Sequence, residues 1–183
     1  DGNLSSDPIQ TTVTVTNSRD VVAEGTTQGQ WPVYAGNNAS MKYSPLDQIS
    51  AENIADLDVA WRWRSPDNDI EGVQNTAFEA TPLFIDGVLY TSTSFSQVAA
   101  IEAKSGNTLW QFDPETYRYA RPPNNGYLHR GVSYHESAVG KTIHMPTGDG
   151  RLIALNAING EPRAGFGDSG FGSVDLLDDI PRL

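Results

Sequence analysis

Val98-Ala-Ala-Ile-Glu-Ala-Lys-Ser-Gly106 and Leu152-Ile-Ala-Leu-Asn-Ala-Ile-Asn-Gly160 are one segment written twice, 54 residues apart and without a gap. Upstream the match continues, with Val88-Leu-Tyr90 over Thr142-Ile-His144 and Thr93 over Thr147. Each copy reads as strand, turn, strand. A unit of this kind cannot bury both of its faces alone, so the period points to stacked β-sheets, a solenoid or a propeller. Two copies do not close a ring. The chain is therefore expected to be part of something larger.

Composition narrows the class. Only Ser50–Asp58 carries a helix pattern, with Ser50 as N-cap and Asn53 in the first turn. Elsewhere short β-branched or aromatic runs alternate with Gly, Pro, Asn and Asp, which makes the fold all-β. A formal charge of −11 argues against a nucleic-acid partner, because a phosphate-binding surface needs clustered Lys and Arg. No stretch approaches the ~18 apolar residues of a membrane-spanning helix, and the chain reads as soluble. With no cysteine, it has neither disulfides nor thiolate metal sites. It opens at Asp1 without initiator methionine or signal peptide, which points to processing or trimming. An acidic chain of this kind, rich in Thr, Asn and Gly, is expected to be an exported, periplasmic bacterial protein.

Working outward from the repeat, residues 1–30 are polar and Gly-rich and read as a flexible extension, with one alternating stretch at Thr11–Thr16. Compact structure is expected from Trp31 to Leu183. Asp58–Arg64 alternates like a half-buried strand. The first full unit then runs Thr81–Ile85, an Asp86-Gly87 hairpin, Val88–Thr93, Gln97–Ala103, a turn, and Thr108–Phe112. Four antiparallel strands in ~40–50 residues match one propeller blade. The link Asp113–Arg130 holds three Tyr, and its length marks it as more than filler. Unit two follows as Gly131–Glu136, Lys141–Met145 and Arg151–Ala157. Its closing strand is degraded, with Ala164 where Trp110 stood.

Ala100-Ile-Glu-Ala-Lys-Ser-Gly-Asn-Thr-Leu-Trp110 resembles the tryptophan-docking repeat of the pyrroloquinoline quinone (PQQ) dependent dehydrogenases. Trp31-Pro-Val-Tyr-Ala-Gly36, Tyr43–Ile49 and Leu57–Trp61 resemble the opening segment of the same enzymes. His129-Arg-Gly-Val-Ser-Tyr-His-Glu136 and Gly148–Leu155 are similar to the membrane-type glucose and sugar dehydrogenases in particular. The resemblance implies an eight-bladed β-propeller, of which this chain would be the opening strand and about two blades. It also implies PQQ on the ring axis with calcium or a lanthanide, and oxidation of an alcohol or aldose by hydride transfer to the quinone while a base takes the hydroxyl proton. Electrons would pass to cytochrome c or ubiquinone. The metal ligands would lie outside this chain, and the remaining blades would come from the same precursor or a second chain.

By the same match, Arg130 is the arginine that contacts PQQ, where a guanidinium can clamp a carboxylate; the structural alternative pairs it with Glu136 or Asp113. Glu79 matches a carboxylate beside the cofactor, and near Arg130 it would have the partner that a buried acid needs. His135 is the candidate for accepting a proton or holding the substrate hydroxyl. Strand parity puts it opposite Arg130 unless a bulge near Gly131 intervenes. The Thr147 hydroxyl could donate to a PQQ carboxylate. His129 and His144 read as structural, and Trp110 as a wedge between blades. Many alcohol-oxidising members carry adjacent cysteines where this chain has Asn124-Asn125, which moves the expected substrate toward sugars or polyols. The competing functions are a non-catalytic propeller scaffold of the same repeat type and a lone carbohydrate-binding module.

Overall fold

The computed structural model describes Thr26 and residues 29–73, 77–118, 126–167 and 170–178, and within them two four-stranded antiparallel sheets stand side by side. A short strand, β1 (Ala77–Phe78), precedes the first sheet, which runs β2 (Leu83–Ile85), β3 (Val88–Ser92), β4 (Val98–Glu102) and β5 (Thr108–Phe112). Another, β6 (Leu128–His129), precedes the second: β7 (Ser133–Ser137), β8 (Gly140–Pro146), β9 (Arg151–Asn156) and β10 (Ser173–Asp175). The strands β2–β5 and β7–β9 fall where the repeat predicts them. Asp86 and Gly87 both take positive φ (50° and 82°), the conformation a two-residue hairpin demands.

The alternation of side chains explains why the sheets stack. Leu83, Ile85, Tyr90, Val98 and Ala100 project from one face of the first sheet. They meet Ile143, Met145, Ile153, Leu155 and Ala157 from the second, forming one core between the two. In β4 the intervening residues Ala99 and Ile101 are buried as well, so this strand is covered on both faces. The opposite face belongs to the lead-in segment. Trp61 donates from Nε1 to the Ala103 carbonyl at 2.9 Å, and Trp110 donates to the carbonyl of the repeat counterpart, Ala157, at 2.9 Å. A Cβ at Gly106 would lie 2.6 Å from the Trp61 ring, and one at Gly160 would lie 2.5 Å from Trp110. Each indole lies flat on a bare glycine. The repeat is thus a docking device: a tryptophan before each sheet seats on its Ala-x-x-Gly turn.

The structure departs from expectation in four places. Ser50–Asp58 forms only a turn and a 3₁₀ segment at Ile54–Asp56, in which the Ser50 hydroxyl accepts from the Glu52 amide at 3.2 Å. Asp58–Arg64 keeps its alternation, with Trp61 and Trp63 turned inward, but no ladder forms and it is not a strand. The fourth strand of sheet two exists but is displaced: Val98 pairs with Phe112, while its counterpart Leu152 pairs with Val174 rather than Phe166. The loop between is tied down by Arg163, which donates to the Val139 and Lys141 carbonyls. Finally, β1 and β6 pair in parallel, a contact that the repeat does not announce. The expected extension at 1–30 lies outside the described residues save Thr26, Gly29 and Gln30.

Candidate functional site

The antiparallel order sets one end of both sheets apart. β2 and β7 begin there, the β3–β4 and β8–β9 turns lie there, and β5 ends there. The parallel pairing of β1 with β6 puts Phe78 opposite His129, so the next residues, Glu79 and Arg130, leave the pair side by side. Arg130 Nη1 lies 3.3 Å from Glu79 Oε2, with side-chain exposures of 76% and 45%. The alternative partners are otherwise engaged: Glu136 accepts from the Tyr134 hydroxyl at 2.9 Å and Asp113 from the Tyr117 hydroxyl at 3.0 Å. An ion pair this open adds little stability. A single contact leaves most of the guanidinium fork available to an anionic ligand.

Thr147 lies in the β8–β9 turn at this same end, but its hydroxyl is already engaged. It donates to the Asp149 carboxylate and accepts from the Arg151 amide at 3.0 Å. Arg151 closes the arrangement, donating from Nε and Nη2 to Asp149 Oδ2 at 3.0 and 2.6 Å and from Nη2 to the Pro114 carbonyl at 2.8 Å. Burial alone would raise the Asp149 carboxyl, yet the hydrogen bonds from Arg151 and Thr147 outweigh it and hold the carboxyl below its usual value. A carboxyl lowered on folding contributes stability that is complete above its unfolded value and vanishes as pH falls through the folded one. Asp149→Asn is therefore expected to lower the urea midpoint of the intact protein at about pH 6, with the gap to wild type closing below about pH 4. A gap that stays constant across that range would contradict this.

His135 stands apart from the pair. It is exposed in mid-β7, opposite Thr142, on the face away from the shared core that Val132 and Tyr134 enter. Gly131, at a φ of 132°, lies between Arg130 and the start of the strand, so strand parity does not relate the Arg130 and His135 side chains. His144 packs its ring 5.6 Å between centroids from Phe166, and His129 is buried. Asn124 and Asn125 lie outside the described residues.

One functional feature escaped the sequence reading. Asp67 is buried and accepts from Ser94 Oγ (2.7 Å), the Phe95 amide (3.2 Å) and Gln97 Nε2 (3.0 Å), fixing the β3–β4 turn. Phe95, held at its tip, is the seat for the long link: Tyr117 and Tyr127 pack against it at 5.5 and 4.8 Å between ring centroids. Beside Asp67 opens a cleft of ≈ 330 Å³ walled by Trp63 and Phe78 and floored by Ser65, Asn68 and Ser94. No sequence signal marks Asp67, because its partners are 27 to 30 residues away.

The family model described as PQQ: glucose/ethanol/alcohol dehydrogenase, β-propeller domain, matches residues 31–183. The chain belongs to this family. Its two sheets are accordingly blades of a PQQ dehydrogenase propeller, present here as part of a ring. Among its relatives is the quinohemoprotein alcohol dehydrogenase ADH IIB of Pseudomonas putida, 41% identical over 134 residues, covering 73% of this chain and 18% of that protein. Another is the quinoprotein glucose dehydrogenase of Escherichia coli K12, 35% identical over 169 residues, covering 82% and 20%. The solved quinohemoprotein alcohol dehydrogenase of Comamonas testosteroni superposes with a TM-score of 0.71 at 28% identity, covering 91% of this chain and 22% of that one. The chain thus spans about a fifth of the length of the PQQ dehydrogenases it matches.

Proposed function

We propose that the chain is the N-terminal part of a periplasmic dehydrogenase that oxidises the CH–OH group of a sugar, polyol or alcohol with PQQ as cofactor, and passes the electrons to cytochrome c or ubiquinone. One observation carries the reading: Glu79 and Arg130 emerge together where two blades begin, exposed and loosely paired. PQQ bears three carboxylates, and the donor set suits them. The Arg130 fork offers bidentate hydrogen bonds to a carboxylate. Glu79 keeps the guanidinium oriented while the site is open, and would remain its second partner when an anion arrives. Thr147 contributes less directly, since its hydroxyl holds the turn.

Bound PQQ would supply the two-electron acceptor for the substrate carbon. Calcium or a lanthanide belongs to the same reading, with ligands from other blades, and those blades complete the ring. His135, on the outer face of β7, would reach a substrate only in that complete ring, where the next blade covers it. A propeller scaffold would have no use for an open cation at this end, which favours the enzyme.

The test is uptake of PQQ with calcium by the intact apo protein, followed by absorbance and by dye reduction with a panel of sugars and alcohols. No uptake would leave the scaffold reading in its place. Arg130→Ala is expected to weaken PQQ binding about 10- to 100-fold, the loss of a charge-assisted hydrogen bond, with the order of substrates unchanged. Altered substrate preference at normal cofactor affinity would contradict the assignment.

A further inference from the structure

The His129 ring is hydrogen-bonded to the backbone just after Arg130. Its ring is buried between β3 and β8, with Nδ1 2.6 Å from Ser92 Oγ and 3.2 Å from the Gly131 amide nitrogen, and Nε2 2.6 Å from the Pro146 carbonyl. The Gly131 N–H can only donate and the Pro146 carbonyl can only accept, so the tautomer is determined. Nδ1 is the acceptor, Nε2 carries the proton, and the imidazole is neutral. The His129 backbone is registered against Phe78, while Gly131, at a φ of 132°, lies beside the Thr81 backbone, within ordinary van der Waals reach. Arg130 is therefore suspended between two fixed points, and one of them is held by the ring.

We propose that His129 is the positioning residue for Arg130: in its neutral form it holds the Gly131 amide and so aims the guanidinium beside Glu79 toward the cofactor. This rests on the function proposed above. A proton on Nδ1 would face the Gly131 N–H and break that bond. Burial lowers the His129 pKa, opposed by the Pro146 carbonyl, which favours the neutral ring near neutrality. The groups around it do not compete: Ser92 comes from β3 and Pro146 from β8, Glu79 pairs with Arg130, and in the β8–β9 turn Asp149 pairs with Arg151.

The experiment is PQQ titration into the intact apo protein by fluorescence, for wild type, His129→Leu and His129→Asn, each with and without Arg130→Ala. The Leu variant is expected to bind about tenfold more weakly, as suits one lost hydrogen bond. The Asn variant restores most of the affinity, because an Asn side-chain oxygen accepts naturally from the amide two residues on. Wild-type affinity should hold at neutral pH and fall only below about pH 6.5, once the ring is protonated, while the Asn variant stays flat. In the Arg130→Ala background the Leu substitution should add nothing, as expected of a residue acting through another. Wild-type affinity in a folded Leu variant, or an undiminished loss without Arg130, overturns the proposal. If the Leu variant does not fold, an Asn variant whose pH profile is as steep as wild type overturns it instead. Failure of the wild type to take up PQQ at all is a separate result, which removes the functional reading and this assignment together.

Discussion

Replacing Trp110 by alanine is expected to destabilise the intact protein by about 3 kcal/mol, the lower end of the range for deleting a packed aromatic side chain, since the indole is only half buried. The indole does three things at once. It donates to the Ala157 carbonyl at 2.9 Å, it packs against Tyr90 at 6.1 Å between centroids, and it lies on Gly160. The Tyr90 hydroxyl donates to the same Ala157 carbonyl at 3.2 Å, so truncating Trp110 leaves that oxygen half served rather than orphaned. Most of the loss therefore comes from the emptied space between the sheets. Gly160→Ala should be comparably damaging for a different reason: a Cβ 2.5 Å from Trp110 must push the indole away, at a φ of 74° that L-residues resist. The two together should cost less than their sum. With the indole gone the new methyl has room, and only the backbone term of about 1–2 kcal/mol remains. Urea midpoints of the four proteins measure this coupling. If Gly160→Ala costs as much without Trp110 as with it, the docking interpretation is wrong.

That coupling also shows what the sequence could disclose. Each repeat carries its own alternation and its own glycine turn, so the strands from Leu83 to Phe112 and from Ser133 to Asn156 are legible locally. The docking is legible only in part: Trp110 reads as a wedge between blades, but its seat on Gly160 does not, since Ala164 stands at its place in the second repeat and Trp61, which seats on Gly106, lies out of register with it. Other features depend on geometry between repeats. The 54-residue period would set Phe78 against Val132, whereas the parallel pair sets it against His129; only that slip brings Glu79 to Arg130. Their proximity was foreseen through family likeness rather than from any pattern in the residues. Thr147 illustrates the converse: its position in the turn after β8 was readable, but not the claim of Asp149 on its hydroxyl. Asp58–Arg64 alternates like a strand, but alternation reports burial of one face and cannot supply a neighbour for the ladder.

Asp67 was invisible for the same reason, and removing it carries the second large effect. Asp67→Ala would leave the Ser94 hydroxyl, the Phe95 amide and the Gln97 amide group without their acceptor in a buried turn, for an expected loss of about 3–5 kcal/mol. Asp67→Asn tests the chemistry more finely. One amide oxygen can still serve Ser94 and Phe95, but the new NH₂ would face the Gln97 NH₂. Gln97 can resolve this by rotating its amide, provided that Gln111, which donates to Gln97 Oε1 at 2.9 Å, rotates as well. Gln111 is exposed and free to do so, and the cost should fall to about 1–2 kcal/mol, that of losing the charge. The consequence reaches beyond stability. Phe95 seats Tyr117 and Tyr127, and its carbonyl accepts from Thr116 Oγ1 at 2.6 Å, so the turn that Asp67 fixes also anchors the link delivering Leu128–Arg130. Asp67→Ala should therefore speed hydrogen exchange at the Phe95 amide and at the link together, and weaken PQQ uptake without touching Arg130. Full protection at Phe95 in that variant would show that the turn stands on other supports, and that the Glu79–Arg130 end of the blade does not depend on this carboxylate.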